Sequence, residues 1–361
     1  MDVLCTYPQY PENKSQNLLI GRFIHLTLVV IFLLAPFGYV LAESDEQHTA
    51  QLIDGAKNEG KLLWYVTFNV PDANAIMLGF NKKYPFIKTD IYRAGSQAMV
   101  NKVLTEALVG RYVYDVIDND VLEGLTFKQK GIFGKYLSPQ RRFYLTGDKD
   151  PEGYWTGIYA NKVVLAYNTR LISSQKVPTT YQDLLDPKWK GKMGMDTKAY
   201  YEFAVWLSIM GGGEKGLNYM KKLSEQDIQF RTGRTLIGSL VAAGEMSIGL
   251  ALYNHIVEQM KEKGAPVEWL ALEPVIDKTH PLGVSARAPH PNAARLFVDY
   301  VLSREGQEII ANLYRVPTRT DVEAVVPKLK CKDKKTVPPD LNVLENFDKY
   351  IKLYNTVLMK K

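Results

Sequence analysis

The run Leu62-Leu63-Trp64-Tyr65-Val66-Thr67, closed by Phe68-Asn69 and followed by Pro71 with Ala73, Ile76, Met77 and Phe80 at helical spacing, decides the fold. The aliphatic, aromatic and β-branched residues make a strand, and the proline is pre-set for the first turn of a helix. A second strand, Ile87 to Arg93, comes next. Strand, helix and strand in so short a span argue for a parallel pair joined by a crossover helix, the unit of an α/β fold.

Outward from this unit the alternation continues. A helix ends at Gly60 just upstream. Downstream, Ser96 is expected to cap a helix that keeps Met99, Val100, Val103, Leu104, Ala107 and Leu108 on one face, and the strand Tyr114 to Asp118 leads to a short helix near Leu122. In the second half, strands at Val163 to Tyr167, Lys192 to Met195, Asp227 to Phe230 and Ser247 to Leu252 precede or feed helices at Tyr200 to Met210, Leu236 to Ala243 and Asn254 to Lys263. Strands at Val267 to Leu272 and Gly283 to Ala286, then helices at Asn292 to Leu302 and Glu305 to Leu313, close the body.

The 361 residues, 46% hydrophobic and 23% charged, supply enough apolar material for about two globular lobes. The net charge of +6 is unevenly placed: residues 328–361 hold nine lysines against four acids. The body is therefore close to neutral, and a nucleic-acid protein with a broad basic face is excluded as an expectation. The apolar run Phe23 to Ala42, with a dense part shorter than a membrane span, reads as a secretory leader (1–42) cleaved after Ala42, which places the mature chain in a periplasm. Cys5 falls in the leader, so the mature chain keeps one thiol, Cys331, read as exposed and without a role.

Gly55 to Lys61 has phosphate-loop spacing, but Leu62 stands where the Mg²⁺-binding hydroxyl should be. Gly211 to Gly216 fits a dinucleotide pattern, yet a helix-to-helix turn explains it better. The five histidines lack metal spacing, and there is no Gly-x-Ser-x-Gly elbow. Asp118 and Asp120 leave open a secreted glycosidase-like enzyme as an alternative.

Ligands of open α/β sheets collect where strands end and helices begin. Those junctions carry Thr67 and Asn69; Arg93 and Ser96; Asp118 to Asp120; Tyr200 and Tyr201; Arg231, Thr232, Arg234 and Thr235; and Tyr253. As a set they are expected to face one cleft.

Three stretches carry a resemblance. Thr180-Tyr-Gln-Asp-Leu-Leu-Asp-Pro-Lys-Trp-Lys-Gly-Lys192, Val164-Leu-Ala-Tyr-Asn-Thr169 and Ala288-Pro-His-Pro-Asn-Ala-Ala-Arg-Leu-Phe-Val-Asp-Tyr300 resemble the ferric-ion-binding group of periplasmic solute-binding proteins, which serve ATP-driven importers. The resemblance implies a type 2 periplasmic-binding-protein fold. Its two α/β lobes, each a mostly parallel sheet flanked by helices, are joined by crossing hinge strands and close on a ligand. The N-terminal lobe would be 43–153 plus 275–327 and the C-terminal lobe 154–274, with 328–361 a Lys-rich extension. It also implies a monomer that catalyses nothing, needs no cofactor, and hands a small ligand to ABC permease transmembrane subunits.

Iron sites of the family use a histidine near the first strand turn, an acid after the third strand, a tyrosine after the Trp-Lys-Gly strand, and a later tyrosine pair. On this chain these positions fall on Asn69, Asp120, Tyr201 and Leu252-Tyr253, so the histidine and one tyrosine of the pattern are absent. Asp120, Tyr201 and Tyr253 as anions would balance Fe³⁺, a hard cation that favours oxygen. Ferric iron is therefore the leading expected ligand. The alternative is a small organic anion (phosphonate, sugar phosphate or carboxylate) held by Thr67, Asn69, Arg93, Ser96, Tyr200, Arg231, Thr232, Arg234 and Thr235.

Overall fold

The computed structural model describes residues 44–337, 343 and 346–360; the expected leader lies outside them. Ser44 caps helix α1 (Asp45–Glu59), its side chain accepting from the Gln47 amide, and Gly60, with φ of 63°, ends it in the left-handed conformation. Gly55 thus lies inside a helix and the phosphate-loop spacing is a coincidence. Strand β1 (Lys61–Val66), helix α2 (Val70–Lys83) and strand β2 (Lys88–Arg93) form the expected parallel unit, in register from Lys61 opposite Lys88 to Val66 opposite Arg93.

Helix α3 (Ser96–Leu108), strand β3 (Val116–Asp118) and helix α4 (Val121–Gln129) follow. Ser96 is the first helical residue and not the cap: Gly95 takes the cap position, and the Ser96 hydroxyl donates to Asp120 instead.

Strand β4 (Thr156–Asn168) is longer than the Val163 to Tyr167 run and buried throughout. The chain then runs through β5 (Met193–Asp196), α5 (Tyr200–Ile209), α6 (Gly213–Ser224), β6 (Gln229–Arg231), α7 (Arg234–Ala243), β7 (Ile248–Tyr253), α8 (Asn254–Glu262) and β8 (Val267–Leu270). The glycines at 211 to 213 make the turn between α5 and α6.

Strand β9 (Val275–Val284) begins well before the expected Gly283. Pro281 had concealed it, since proline in a central strand argues against one; here it sits opposite Gly157 where the β4 register shifts, an irregularity that tolerates the missing N–H. Helices α9 (Pro291–Leu302) and α10 (Arg304–Asn312) and the short strands β10 (Val316–Pro317) and β11 (Thr336–Val337) come next, with helix α11 (Phe347–Leu353) after them.

The strand order is β2-β1-β3-β9-β4-β7-β5-β6. The first half of β4 pairs with β9 and its second half with β7 and β8, so β4 and β9 carry the chain between the two lobes of a type 2 periplasmic-binding-protein fold. One core gathers Trp64, Phe80 and Phe297; another gathers Phe203, Trp206 and Leu250.

The described part of the Lys-rich segment packs onto the body. Strand β11 pairs with β9, and Tyr354, fully buried, donates its hydroxyl to the Asp196 carbonyl and meets Tyr200, Phe203 and Phe230 edge-on. Cys331 is buried, not exposed, and burial pushes its thiol up to about 11.

Candidate functional site

The carboxyl ends of β1, β2, β3, β5, β6 and β7 open onto one cavity of about 530 Å³. Parallel strands deliver this by construction, because each ends where the next helix begins. Helices α3, α5 and α7 all start on its wall, and none of the three has a side-chain cap. The residues at their cap positions therefore offer these helix starts no side-chain acceptor. The turn into α7 needs Gly233, whose φ is 108°.

At the floor lies a buried ionic network. Lys278, from β9, points its ammonium at Asp120 Oδ2 (3.1 Å), the Tyr253 hydroxyl (3.1 Å) and Glu202 Oε1 (3.4 Å). It also lies 4.9 Å from the centre of the Tyr201 ring. Glu202 is held in turn by Arg234 Nη2 at 2.9 Å, and the Arg234 guanidinium stacks on Tyr253. Two residues along β9, His280 Nε2 reaches Asp118 Oδ1 (2.7 Å) and Thr67 Oγ1 (2.9 Å), while Nδ1 lies 3.4 Å from Asp120 Oδ1.

Protonation follows from these contacts. Burial opposes the Asp120 carboxylate, but Lys278, His280 and Arg234 outweigh it and hold its pKa well below the usual range. Burial likewise opposes Lys278, and Asp120 and Glu202 overcome it, keeping the ammonium charged. Against the same burial, His280 is raised by Asp118 and Asp120. Burial raises Tyr253 well above an ordinary phenol, so it stays neutral beside its cations. Glu123 is pushed up to about 7 by burial and then by Asp120.

Most of the expected residues meet here: Asp120, Tyr201 and Tyr253 at the floor, and Thr67, Asn69, Arg93, Ser96, Tyr200, Thr232, Arg234 and Thr235 around it. Asn69 spends its side-chain oxygen on capping α2, and Thr67 donates to Asp118 at 2.6 Å. Arg231 does not belong: it is exposed, outside the lining, and donates to its neighbour's Phe230 carbonyl.

Sequence reasoning missed Lys278, His280, Glu202, Glu123 and Arg315, all on the wall. The signal for the first two was the spacing of Lys278 and His280, two apart between the apolar Val275-Ile276 and Leu282, which puts both on one face of a strand. Among the described residues no group of three His, Cys, Asp or Glu is placed to hold a metal ion.

The profile of the bacterial extracellular solute-binding protein family matches residues 115–342. An uncharacterized protein of Haemophilus influenzae is 26% identical over 280 residues, 71% of this chain and 77% of that protein. Two solved structures share the fold. The periplasmic binding protein AfuA from Actinobacillus pleuropneumoniae, with fructose-6-phosphate bound, has a TM-score of 0.74 at 24% identity, covering 84% of this chain and 99% of AfuA. Iron-bound HitA from Pseudomonas aeruginosa has a TM-score of 0.72 at 23% identity, covering 82% and 99%.

Proposed function

The chain belongs to the bacterial extracellular solute-binding protein family, and from that premise we propose that it carries a small organic anion bearing a phosphate or phosphonate group. The family serves ABC transport: it binds a solute, passes it to a permease and performs no chemistry. On this reading the mature chain works in the periplasm, and the lobes close on the solute by a hinge at β4 and β9.

One observation carries the choice of ligand. The floor acids Asp120 and Glu202 are already paired with Lys278 and Arg234, whereas the wall keeps unspent donors. Among the described residues Arg93 hydrogen-bonds through Nε alone, to the Phe68 carbonyl, leaving the other edge of its guanidinium open there. Beside it stand the uncapped starts of α3, α5 and α7, a setting suited to an anion. The cavity is of the size that holds small molecules, far larger than a bare ion needs. Asn161 Oδ1 and His255 Nδ1, both on the wall, have no hydrogen-bond partner among the described residues and can serve the hydroxyl or amino groups of the organic part.

Isothermal titration calorimetry with hexose phosphates, alkyl phosphonates and ferric citrate tests this reading. Binding of a phosphate or phosphonate is expected, and Arg93→Ala should weaken it about tenfold, the loss of a charge-assisted hydrogen bond worth ~1.5 kcal/mol. Heat only from the ferric salt, with a tyrosinate-to-iron colour, would overturn it. Ferric iron stays the second reading, because Asp120, Tyr201 and Tyr253 share the floor and HitA binds iron.

A further inference from the structure

Lys278 stands where a cargo cation would have to stand. Its ammonium has three N–H donors, and three oxygens surround it: a carboxylate of the first lobe (Asp120), a carboxylate of the second (Glu202) and the hydroxyl of Tyr253. The side chain is 4% exposed and comes from β9, where Lys278 pairs with Asn161 of β4, so the register of the crossing strands fixes it there. Oxygens that converge on one point from two lobes are what a hard metal ion seeks.

We propose that Lys278 is the specificity-determining residue of this site, a built-in cation that occupies the metal position between Asp120, Tyr253 and Glu202 and so commits the cavity to organic anions. The proposal rests on the organic-anion reading and deepens it. With the ammonium in place, a trivalent ion would meet a like charge at about hydrogen-bond distance from the oxygens of Asp120, Glu202 and Tyr253. Without it, three buried acids, Asp118, Asp120 and Glu202, face two cations, His280 and Arg234, and Tyr201 and Tyr253 lie beside them to supply phenolates on metal binding. Arg234 stays on Glu202, so the vacated site would draw chiefly on Asp120 and the two tyrosines.

The experiment compares the native chain with Lys278→Ala, titrating ferric nitrilotriacetate and Ga³⁺ while following visible absorbance and melting temperature. Native protein should develop no tyrosinate-to-iron band and no shift in melting. Lys278→Ala should gain the band, melt higher with either metal, and bind Fe³⁺ at least tenfold more tightly; adding Tyr253→Phe should reduce the band. Where Lys278→Ala does not fold, Lys278→Gln, which keeps hydrogen-bond donors but no charge, takes its place with the same expected gain. A folded variant that takes up no metal would overturn the role of Lys278 and leave the anion reading to the hexose phosphate titration. A native chain that forms the ferric band would overturn both.

Discussion

Glu123 gives the cavity a pH response. Its carboxyl titrates near 7 because burial and the neighbouring Asp120 both disfavour its charge, with Glu202 adding to them and Lys278 working the other way. Raising pH through 7 therefore adds a negative charge to the wall that receives an anion, and affinity should fall between pH 6 and 8 beyond what ligand ionisation explains. Glu123→Gln should flatten that extra slope in calorimetry, and an unchanged slope would remove Glu123 from the site. The sign for stability is the same: a carboxyl whose folded pKa is raised contributes stability fully below its unfolded value of 4.5 and loses it as pH rises through about 7. The strand-end rule made Asp120, Tyr201, Arg93 and Tyr253 legible in the sequence, because backbone topology alone brings them together. It could not reach Lys278 and His280, which enter from within an antiparallel crossing strand, or Glu202, in the first turn of a helix that reads as ordinary.

At the scale of elements, the final helix shows how composition can mislead. The lysines of the C-terminal segment that are described in α11, Lys349 and Lys352, face solvent, while Phe347, Leu353 and Tyr354 turn towards the second lobe and Phe347 reaches the cavity wall. Tyr354→Ala should cost about 3–5 kcal/mol, the range for emptying a large aromatic site, and Tyr354→Phe about 1–3 kcal/mol by leaving the Asp196 carbonyl without its donor. Urea unfolding of the two variants checks both; a loss under ~1 kcal/mol for Tyr354→Ala would mean that this segment is a loose appendage. Strand and helix order were otherwise legible because the parallel strands are short runs that alternate with helical spacing and have clear turn residues between them. What stayed hidden was β9, split by Pro281, and the length of β4, whose polar Asn161 and Lys162 interrupt its apolar pattern although both are buried.

For the whole molecule, the proposed transport role turns on the balance between open and closed arrangements of the lobes, and contacts that join them favour closure. Gln259, on α8 of the second lobe, donates through Nε2 to the Leu313 carbonyl at 2.9 Å and to Asp72 of α2 at 3.2 and 3.3 Å. Asp72 is fixed from its own side by Arg315, whose Nη2 lies 2.7 Å away, and Arg315 is sandwiched by Phe68 and Tyr159. Across the cleft the Tyr253 hydroxyl donates to Asp120 at 3.3 Å. Contacts made only when the lobes meet bias the equilibrium without touching the ligand, and their loss lowers apparent affinity by the fraction of closed molecules forfeited. Gln259→Ala removes such a contact and leaves both cores intact. Losing about 1 kcal/mol of closure should weaken solute binding up to about fivefold, enlarge the radius of gyration of the ligand-free protein in small-angle scattering, and leave urea stability within ~0.5 kcal/mol. The bound form should scatter like the native complex, because saturating ligand restores closure. If Gln259→Ala changes neither affinity nor ligand-free scattering, Gln259 is a bystander and closure rests on other contacts, the buried network around Lys278 among them.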